Sequence, residues 1–368
     1  MKTKVIYLLE YPIDLPGGAQ MSTESLCEGL IPTEFEPIVI CPELLKKKKE
    51  DFPFRIITYP MGEKRIPNLL LRLLFFWKIL RKERPEIVHI QMPESLITYG
   101  MLRWIGLFRR TKLVFTDRGL FYGYRKHSMM LMKSALRHAD RMLTTTQFNR
   151  RLWEEGSSIR PIGVVANTIS NAFKAFDPGK RNHEGFVIGF AGRVCEEKNW
   201  PLAVELVRRM KEAGIVFQVE IVMSVFEPGD MDVVDKTVGG MKEILGEENV
   251  RSHLDFNQQQ MADFYYGLDL FVMTSRFESF GKAAVEAMSR KCAVVSTDVG
   301  GLSEVIGRKQ NLYQEDHPEK AVAYIRDLWQ DRKKREEDQE YFYRRYQENY
   351  SQERCLSDHL KIYRELNG

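Results

Sequence analysis

The sequence predicts an α/β protein of two doubly wound domains. Short apolar, β-branched runs alternate with amphipathic stretches, the pattern of parallel strands joined by crossover helices. The pattern occurs twice and is interrupted over Ile169–Gly185, where Asn, Pro, Gly and charged residues break the apolar rhythm. The chain has 368 residues, more than one ordinary core holds. Residues 1–172 and 173–349 are therefore expected to be the two domains, with a helix at about 350–368 left over.

In chain order, strands are predicted at Lys4–Leu9, Pro37–Cys41, Arg55–Tyr59, Ile87–Gln91, Lys112–Thr116, Arg141–Thr145 and Gly163–Ala166. Helices fit between most of them, for example at Leu69–Arg81 and Met130–Arg137. The second half offers strands at Phe186–Ala191, Phe217–Met223, Val250–Leu254, Leu270–Thr274 and Ala293–Thr297. Helices near Leu202–Glu212, Gln258–Tyr266 and Lys282–Ser289 separate them. After Ala321 the chain reads as charge-rich helix, with Arg332–Glu337 and Tyr341–Tyr346 as solvated faces. Leu356, Leu360, Ile362, Tyr363 and Leu366 form a stripe on which the last helix docks.

Composition excludes several classes. No run without Asp, Glu, Lys or Arg is longer than Pro161–Phe173, against roughly 20 residues needed to span a bilayer. The apolar start Val5–Leu9 stops at Glu10, short of a secretory signal, so the expected location is cytoplasmic. Five cysteines without Cys-x-x-Cys spacing and scattered histidines argue against a disulfide framework or a common zinc site. Residues 1–172 carry 27 Lys+Arg against 17 Asp+Glu, while residues 173–368 carry 28 against 34. The basic half suits an anionic lipid surface or a phosphorylated substrate, and no nucleic-acid reading motif accompanies it. Leu69–Arg81, Met101–Lys112 and Tyr122–Arg141 mix Leu, Phe, Trp and Met with basic residues, as helices lying on anionic membranes do.

The chemistry concentrates in Ser275–Met288. A strand leads through Ser279-Phe280-Gly281 into a helix whose first N–H groups suit an anion. Glu278 and Glu286 lie eight residues apart, roughly 12 Å along a helix, too far to share a proton and suited to two ends of one extended ligand. Read from the residues alone, Glu278 can equally be a cap and Glu286 a surface charge. Arg193 and Lys198 follow the strand Phe186–Ala191, at the carboxyl end where open sheets bind ligands. An ordinary charged loop paired with Glu196 and Glu197, ahead of the helix cap Asn199, is the other reading. Gly17-Gly18 is a permissive turn after the first strand, and no Gly-x-Gly-x-x-Gly of a dinucleotide-binding enzyme occurs there. Asp230-Met231-Asp232 spells a metal-binding Asp-x-Asp, but it is expected in a loop beyond Pro228-Gly229 that holds no functional metal.

Glu278-x7-Glu286, Phe280-Gly281 and Ala293–Glu304 together resemble the retaining glycosyltransferases of family 4. Pro16-Gly17-Gly18-Ala19-Gln20, Gly192-Arg193 with Glu197-Lys198, and Val165–Ile169 with Phe173 fit that family in order and spacing. The resemblance implies the GT-B fold: two Rossmann-like domains facing each other across a cleft, the C-terminal helix packing back on the N-terminal domain. It implies a metal-independent, retaining transfer of a hexose-type sugar from a nucleotide-diphosphate sugar, UDP-sugar favoured, to a hydroxyl of a lipid-linked or oligosaccharide acceptor. Catalytic roles fall to Glu278, Arg193 and Lys198. Donor binding falls to Gly17, Gly18, Phe280, Gly281 and Glu286, with Glu278 on the sugar hydroxyls and Glu286 on the ribose. Contacts to sugar or acceptor are sought at His89, Asp117 and Arg118. The N-terminal domain would take the acceptor, so its basic surface makes peripheral attachment to the inner face of a membrane part of the expectation.

The sequence departs from the family at several points. Phe115-Thr116-Asp117-Arg118-Gly119 stands where many relatives have a histidine, and Asp117 or Arg118 would take part of its role. Met223–Gly229 replaces a glycine-rich turn, and Arg290-Lys291-Cys292-Ala293 lacks the common Gly-x-Pro. A sugar-nucleotide epimerase on the same fold and a non-catalytic carbohydrate-binding protein are the alternatives. The intact Arg193, Lys198, Glu278 and Glu286 count against the latter.

Overall fold

The computed structural model describes residues 2–15, 17–60, 65–181 and 183–368, with residues 65–68 as backbone only. Met1, Pro16 and Asn182, which belong to segments discussed above, lie outside the described residues. The chain divides into Met1–Ser170 with Gln352–Gly368 as unit 1, and Asn171–Ser351 as unit 2.

Unit 1 contains β1 (Thr3–Leu8), α1 (Gly18–Leu30), β2 (Phe35–Pro42), β3 (Arg55–Tyr59), α2 (Arg65–Glu83), β4 (Ile87–Ile90), α3 (Pro93–Trp104), β5 (Lys112–Asp117), α4 (Lys126–Leu136), β6 (Arg141–Thr144), α5 (Gln147–Gly156) and β7 (Ile162–Val164). The strands form one parallel sheet in the order β3-β2-β1-β4-β5-β6-β7. Both faces are buried, as a parallel sheet requires. Ile6 and Leu8 of β1 pack with Phe76, Leu80, Tyr99, Met132 and Leu136 of α2, α3 and α4. Val5 and Tyr7 point the other way and pack with Leu26 and Leu30 of α1.

Unit 2 repeats the design with β8 (Val187–Arg193), α6 (Trp200–Glu212), β9 (Gln218–Ser224), α7 (Asp230–Leu245), β10 (Val250–Leu254), α8 (Gln258–Tyr266), β11 (Leu270–Met273), α9 (Lys282–Ser289), β12 (Ala293–Thr297), α10 (Leu302–Ile306), β13 (Leu312–Tyr313), α11 (Pro318–Gln330) and α12 (Arg332–Asn349). Its parallel order is β10-β9-β8-β11-β12-β13. In each sheet the first strand sits between strands wound in opposite directions. The topological switch points are therefore β1/β4 and β8/β11, where ligands of open α/β sheets bind.

A final helix, α13 (Gln352–Asn367), belongs to unit 1. Tyr363 and Leu366 enter the same core as Val5, Tyr7 and Leu26, with Leu356, Leu360 and Ile362 packed against it. The Tyr363 hydroxyl lies 2.7 Å from that of Tyr7 and 2.6 Å from His89 Nδ1, and His89 Nε2 is 2.8 Å from Thr116 Oγ1. Burial, and the neighbouring His359 and Arg118, hold His89 neutral well below its ordinary range. One ring nitrogen therefore donates and the other accepts, so these hydrogen bonds run in a single direction through the core.

Three expectations change, and one strand was not expected. Asp230-Met231-Asp232 is the first turn of α7 rather than a loop, and Asp230 accepts the backbone N–H groups of Phe226 and Glu227. Met101–Lys112 is not a helix: α3 ends at Trp104, and the positive φ of Gly106 and Phe108 turns the chain into β5. Tyr341–Tyr346 is not a solvated face, because Phe342 and Tyr346 are buried and Arg345 donates to the carbonyls of Val305 and Glu304. The two-residue strand β13 carried too short an apolar run to be read.

Replacing Tyr363 by Phe deprives the Tyr7 hydroxyl and His89 Nδ1 of their shared partner inside the core. The expected loss is about 1–3 kcal/mol in equilibrium urea unfolding. An unchanged midpoint would mean that these bonds contribute no net stability.

Candidate functional site

The site in unit 2 starts at the carboxyl end of β8. Arg193 ends the strand with its side chain exposed and makes no ion pair among the described residues. A one-turn 3-10 segment, Glu196–Lys198, follows, and Asn199 adopts φ 52° and ψ 54° before α6. Asn199 makes no capping bond with its side chain. It supplies instead the left-handed conformation that Asn tolerates better than most residues. The segment is tied to the next strand end, since Thr274 Oγ1 donates to the Lys198 carbonyl at 2.8 Å and Arg276 N donates to the Glu197 carbonyl at 2.8 Å.

These ties deliver Lys198 to Glu278. Lys198 Nζ lies 2.8 Å from Glu278 Oε2, with both side chains 19% exposed, buried enough to limit screening by solvent. Glu278 is itself fixed from behind, where its carbonyl accepts Gly301 N at 3.0 Å. A Cβ on Gly300 (φ +56°) would lie 1.9 Å from that carbonyl oxygen, so the approach requires glycine. Gly281 (φ +91°) starts α9 without a side-chain cap, and a Cβ there would strike Leu302 at 2.3 Å. Phe280 is buried edge-on against Tyr350 and shapes the turn from below.

Glu286 lies inside α9, 7% exposed, not on the surface. Tyr265 donates to its Oε2 at 3.3 Å, and Lys282 Nζ is 3.8 Å from Oε1. Burial raises the Glu286 carboxyl above its ordinary range, while Lys282, Tyr265 and Lys198 pull it back. Lys198 thus acts electrostatically on both glutamates. Among the described residues, no group of three His, Cys, Asp or Glu side chains is arranged to hold a metal ion.

In unit 1 the candidates separate. Gly17 and Gly18 open α1 with no side-chain cap, and nothing lies within 4 Å of where a Gly18 Cβ would be. His89 is fully enclosed with both ring nitrogens engaged, so its reading as a sugar contact is replaced by a structural one. Asp117 is also fully buried, accepting from Tyr124, Trp153, Asn149 and Gly119 N. With both oxygens engaged it shapes the loop after β5 and does not present a carboxylate to a ligand. Arg118 is half-buried and donates from Nε to Gln91 Oε1 at 2.8 Å, an oxygen that Thr23 Oγ1 also reaches at 2.9 Å. Burial lowers the Arg118 guanidinium to about 10, so it stays charged at neutral pH. Arg118 and Gln91 lie beside the β1/β4 switch point.

Glu10 at that same point was read only as the end of an apolar run. It is 7% exposed and accepts Ser95 N at 2.8 Å from the first turn of α3. Burial pushes its carboxyl up to about 7, with the charge of Glu94 adding and Ser95 N and Arg72 opposing. No spacing rule marks it; its position two residues beyond β1's end, under α3, is set by the fold.

Comparison with known proteins agrees with the fold. Residues 16–172 match the model of the family described as Glycosyltransferase Family 4, and residues 172–345 match that described as Glycosyl transferases group 1. The chain belongs to the GT-B glycosyltransferases. It is 30% identical over 186 residues to 2-deoxystreptamine glucosyltransferase of Streptomyces kanamyceticus, covering 47% of this chain and 46% of that one. It is 25% identical over 290 residues to the phosphatidylinositol N-acetylglucosaminyltransferase GPI3 subunit of Saccharomyces cerevisiae, covering 73% of this chain and 57% of that one. The match thus spans about half the length of these relatives. In fold, the chain is similar to Anabaena HepE in complex with UDP, with a TM-score of 0.80 at 16% identity over 99% of this chain and 100% of that one.

Glu10 sets a pH dependence. Its folded value lies above the unfolded one, so its stabilising protonated form is fully present below the unfolded value and lost as pH rises through about 7. Glu10→Gln keeps an acceptor for Ser95 N and cannot ionise. The variant is expected to gain on the order of 1–3 kcal/mol over the parent at pH 8–9 and to lose that advantage toward pH 5 in urea unfolding. An advantage independent of pH would refute the assignment.

Proposed function

We propose that this glycosyltransferase transfers a hexose-type sugar, with retention, from a nucleotide-diphosphate sugar to a hydroxyl of a lipid-linked or oligosaccharide acceptor. The observation that carries the proposal is the Lys198–Glu278 pair. Two motifs 80 residues apart in sequence meet at the uncapped start of α9, at the switch point of unit 2. Relatives named for glucosyl and N-acetylglucosaminyl transfer support a hexose-type donor, and the fold neighbour bound to UDP supports a uridine nucleotide.

The chemistry follows from the groups present. As the anomeric C–O bond breaks, negative charge grows on the departing diphosphate. Lys198 has three donors, one of which serves Glu278, and the exposed Arg193 guanidinium, nearby in sequence, makes no ion pair among the described residues. Together with the N–H groups at the start of α9 they stabilise that charge, a task that requires no metal ion. Glu278 holds the sugar hydroxyls and Glu286 the ribose. The acceptor oxygen attacks the face from which the nucleotide leaves, and the departing phosphate oxygen takes the acceptor's proton. Unit 1 receives the acceptor, and its basic surface attaches peripherally to an anionic membrane. No helix among the described residues is long and apolar enough to cross one.

A panel of nucleotide sugars assayed for slow hydrolysis in excess EDTA tests this reading without an acceptor. Turnover is expected to persist, and Lys198→Ala or Arg193→Ala to lower kcat/KM by roughly 10²–10³. A strict need for added manganese or magnesium, or a double variant with normal turnover, would overturn it.

The glutamates divide binding from turnover. Glu286→Ala is expected to weaken free nucleotide binding, measured by calorimetry, whereas Glu278→Ala leaves it nearly intact and depresses kcat. Equal losses of nucleotide affinity would contradict the two roles.

A further inference from the structure

Unit 1 holds a second feature that the proposed transfer does not use. A pocket of about 820 Å³ opens between the loop after β5 and α4, lined by Phe121, Tyr122, Tyr124, Met129, Met130 and the basic residues of α4. Lys126, Met130, Lys133 and Arg137 repeat at helical spacing, so one side of α4 presents cations and methionine together. Lys133 is occupied, donating to the Gly156 carbonyl at 2.6 Å and lying 5.4 Å from the Phe121 ring centre. Arg125, Lys126 and Arg137 are exposed and make no ion pair among the described residues. The sequence contains no Asp or Glu between Asp117 and Asp140.

Such a pocket is mismatched to water and to a neutral apolar ligand alike. Met130 is 66% and Tyr122 71% exposed at its mouth, an unfavourable arrangement unless something apolar covers them. Lys126 and Arg137, which line it without an ion pair among the described residues, call for an anion. We propose that the pocket binds the phosphate-bearing end of a membrane lipid, the first carbons of its chain against Phe121, Met129 and Met130 and its phosphate on Lys126 and Arg137. A lipid fits better than a free phosphate because the apolar exposure continues onto the neighbouring helices. The α2–α3–α4 layer shares one sheet face, and Leu70, Leu74 and Trp77 of α2, with Trp104 and Ile105 at the end of α3, are all exposed on it. Arg81 lies over Trp77, so the same mixture of aromatic and cation recurs there. The use of this lipid as the acceptor rests on the transferase reading above; its binding does not.

Calorimetry with decyl phosphate, hexyl phosphate, inorganic phosphate and decyl maltoside tests the pocket, each probe kept below its micellar concentration. Decyl phosphate is expected to bind at least about ten-fold more tightly than hexyl phosphate, since each buried methylene adds about 0.8 kcal/mol. Inorganic phosphate and decyl maltoside should be weaker than decyl phosphate by a similar margin. Met130→Glu and Arg137→Glu change exposed positions, so circular dichroism and nucleotide-sugar hydrolysis should match the parent. Each should weaken decyl phosphate at least about ten-fold and reduce binding to phosphatidylcholine vesicles containing phosphatidic acid. Equal affinity for both alkyl phosphates or for inorganic phosphate, equal affinity for the maltoside, or parental binding in both variants would overturn the proposal. Chain-length dependence in a protein that hydrolyses no nucleotide sugar would leave the pocket standing and remove the transferase reading instead.

Discussion

A parallel sheet leaves neither face to water, and that requirement organises this protein. In unit 1, β1 sends Ile6 and Leu8 to one face and Val5 and Tyr7 to the other, so both must be covered by helices. Three crossover helices, α2, α3 and α4, pack side by side over the first. The second is covered by α1 together with α13, which comes from the far end of the chain. The chain therefore completes its first unit only after building its second. Tyr363 shows how far this goes, because the hydroxyl brought by the last helix hydrogen-bonds to Tyr7 and His89 in the innermost strands. A histidine that sequence alone offers to a ligand is thereby committed to the core.

Within unit 2 the same winding brings the candidate side chains together. The sheet order places the carboxyl ends of β8 and β11 side by side, so the loops that follow them must meet. Close backbone approach makes the meeting specific. Without a side chain at Gly300, the Glu278 carbonyl can take Gly301 N, and with Asn199 in a left-handed conformation the Lys198 segment turns back toward Thr274. The resulting ion pair is shielded on several sides yet reachable by a ligand. Glu286 is buried deeper, where desolvation raises its carboxyl and Lys282 and Lys198 oppose the rise. Two carboxylates of one helix-turn segment thus occupy different electrostatic surroundings, a condition for dividing labour between them.

The outer surface of unit 1 follows a different logic. Its helices bury one side in the core and leave Leu, Trp and Met exposed on the other, where Lys126 and Arg137 make no ion pair among the described residues. The carboxyl end of β1 meanwhile carries Glu10, a buried acid near neutrality opposed by Arg72, and that of β4 carries Gln91, which accepts from the half-buried Arg118.

Much of this was legible in the sequence. The strands read from β-branched runs appear at their places because a strand buried on both faces must be continuously apolar, a signal that survives without tertiary knowledge. The helices Gln258–Tyr266 and Lys282–Ser289 likewise follow from their punctuation. Arg193, Lys198, Glu278 and Glu286 could be singled out because the motifs that hold them are local segments, although their roles came from the family resemblance and not from spacing. What the sequence could not decide is what each side chain touches. Asp117 and His89 carry the right chemistry for a site, yet the fold surrounds them with Tyr124, Trp153, Asn149, Tyr363 and Thr116 and leaves them no free valence. Glu10 looks like the end of a hydrophobic run, yet the fold buries it under α3 and moves its titration toward neutrality. The sequence by itself determined where the strands run and which residues could do chemistry, since both are written in short-range pattern. Only the tertiary structure decided which of them stay open to a ligand, because hydrogen-bond saturation and desolvation depend on partners brought from distant parts of the chain.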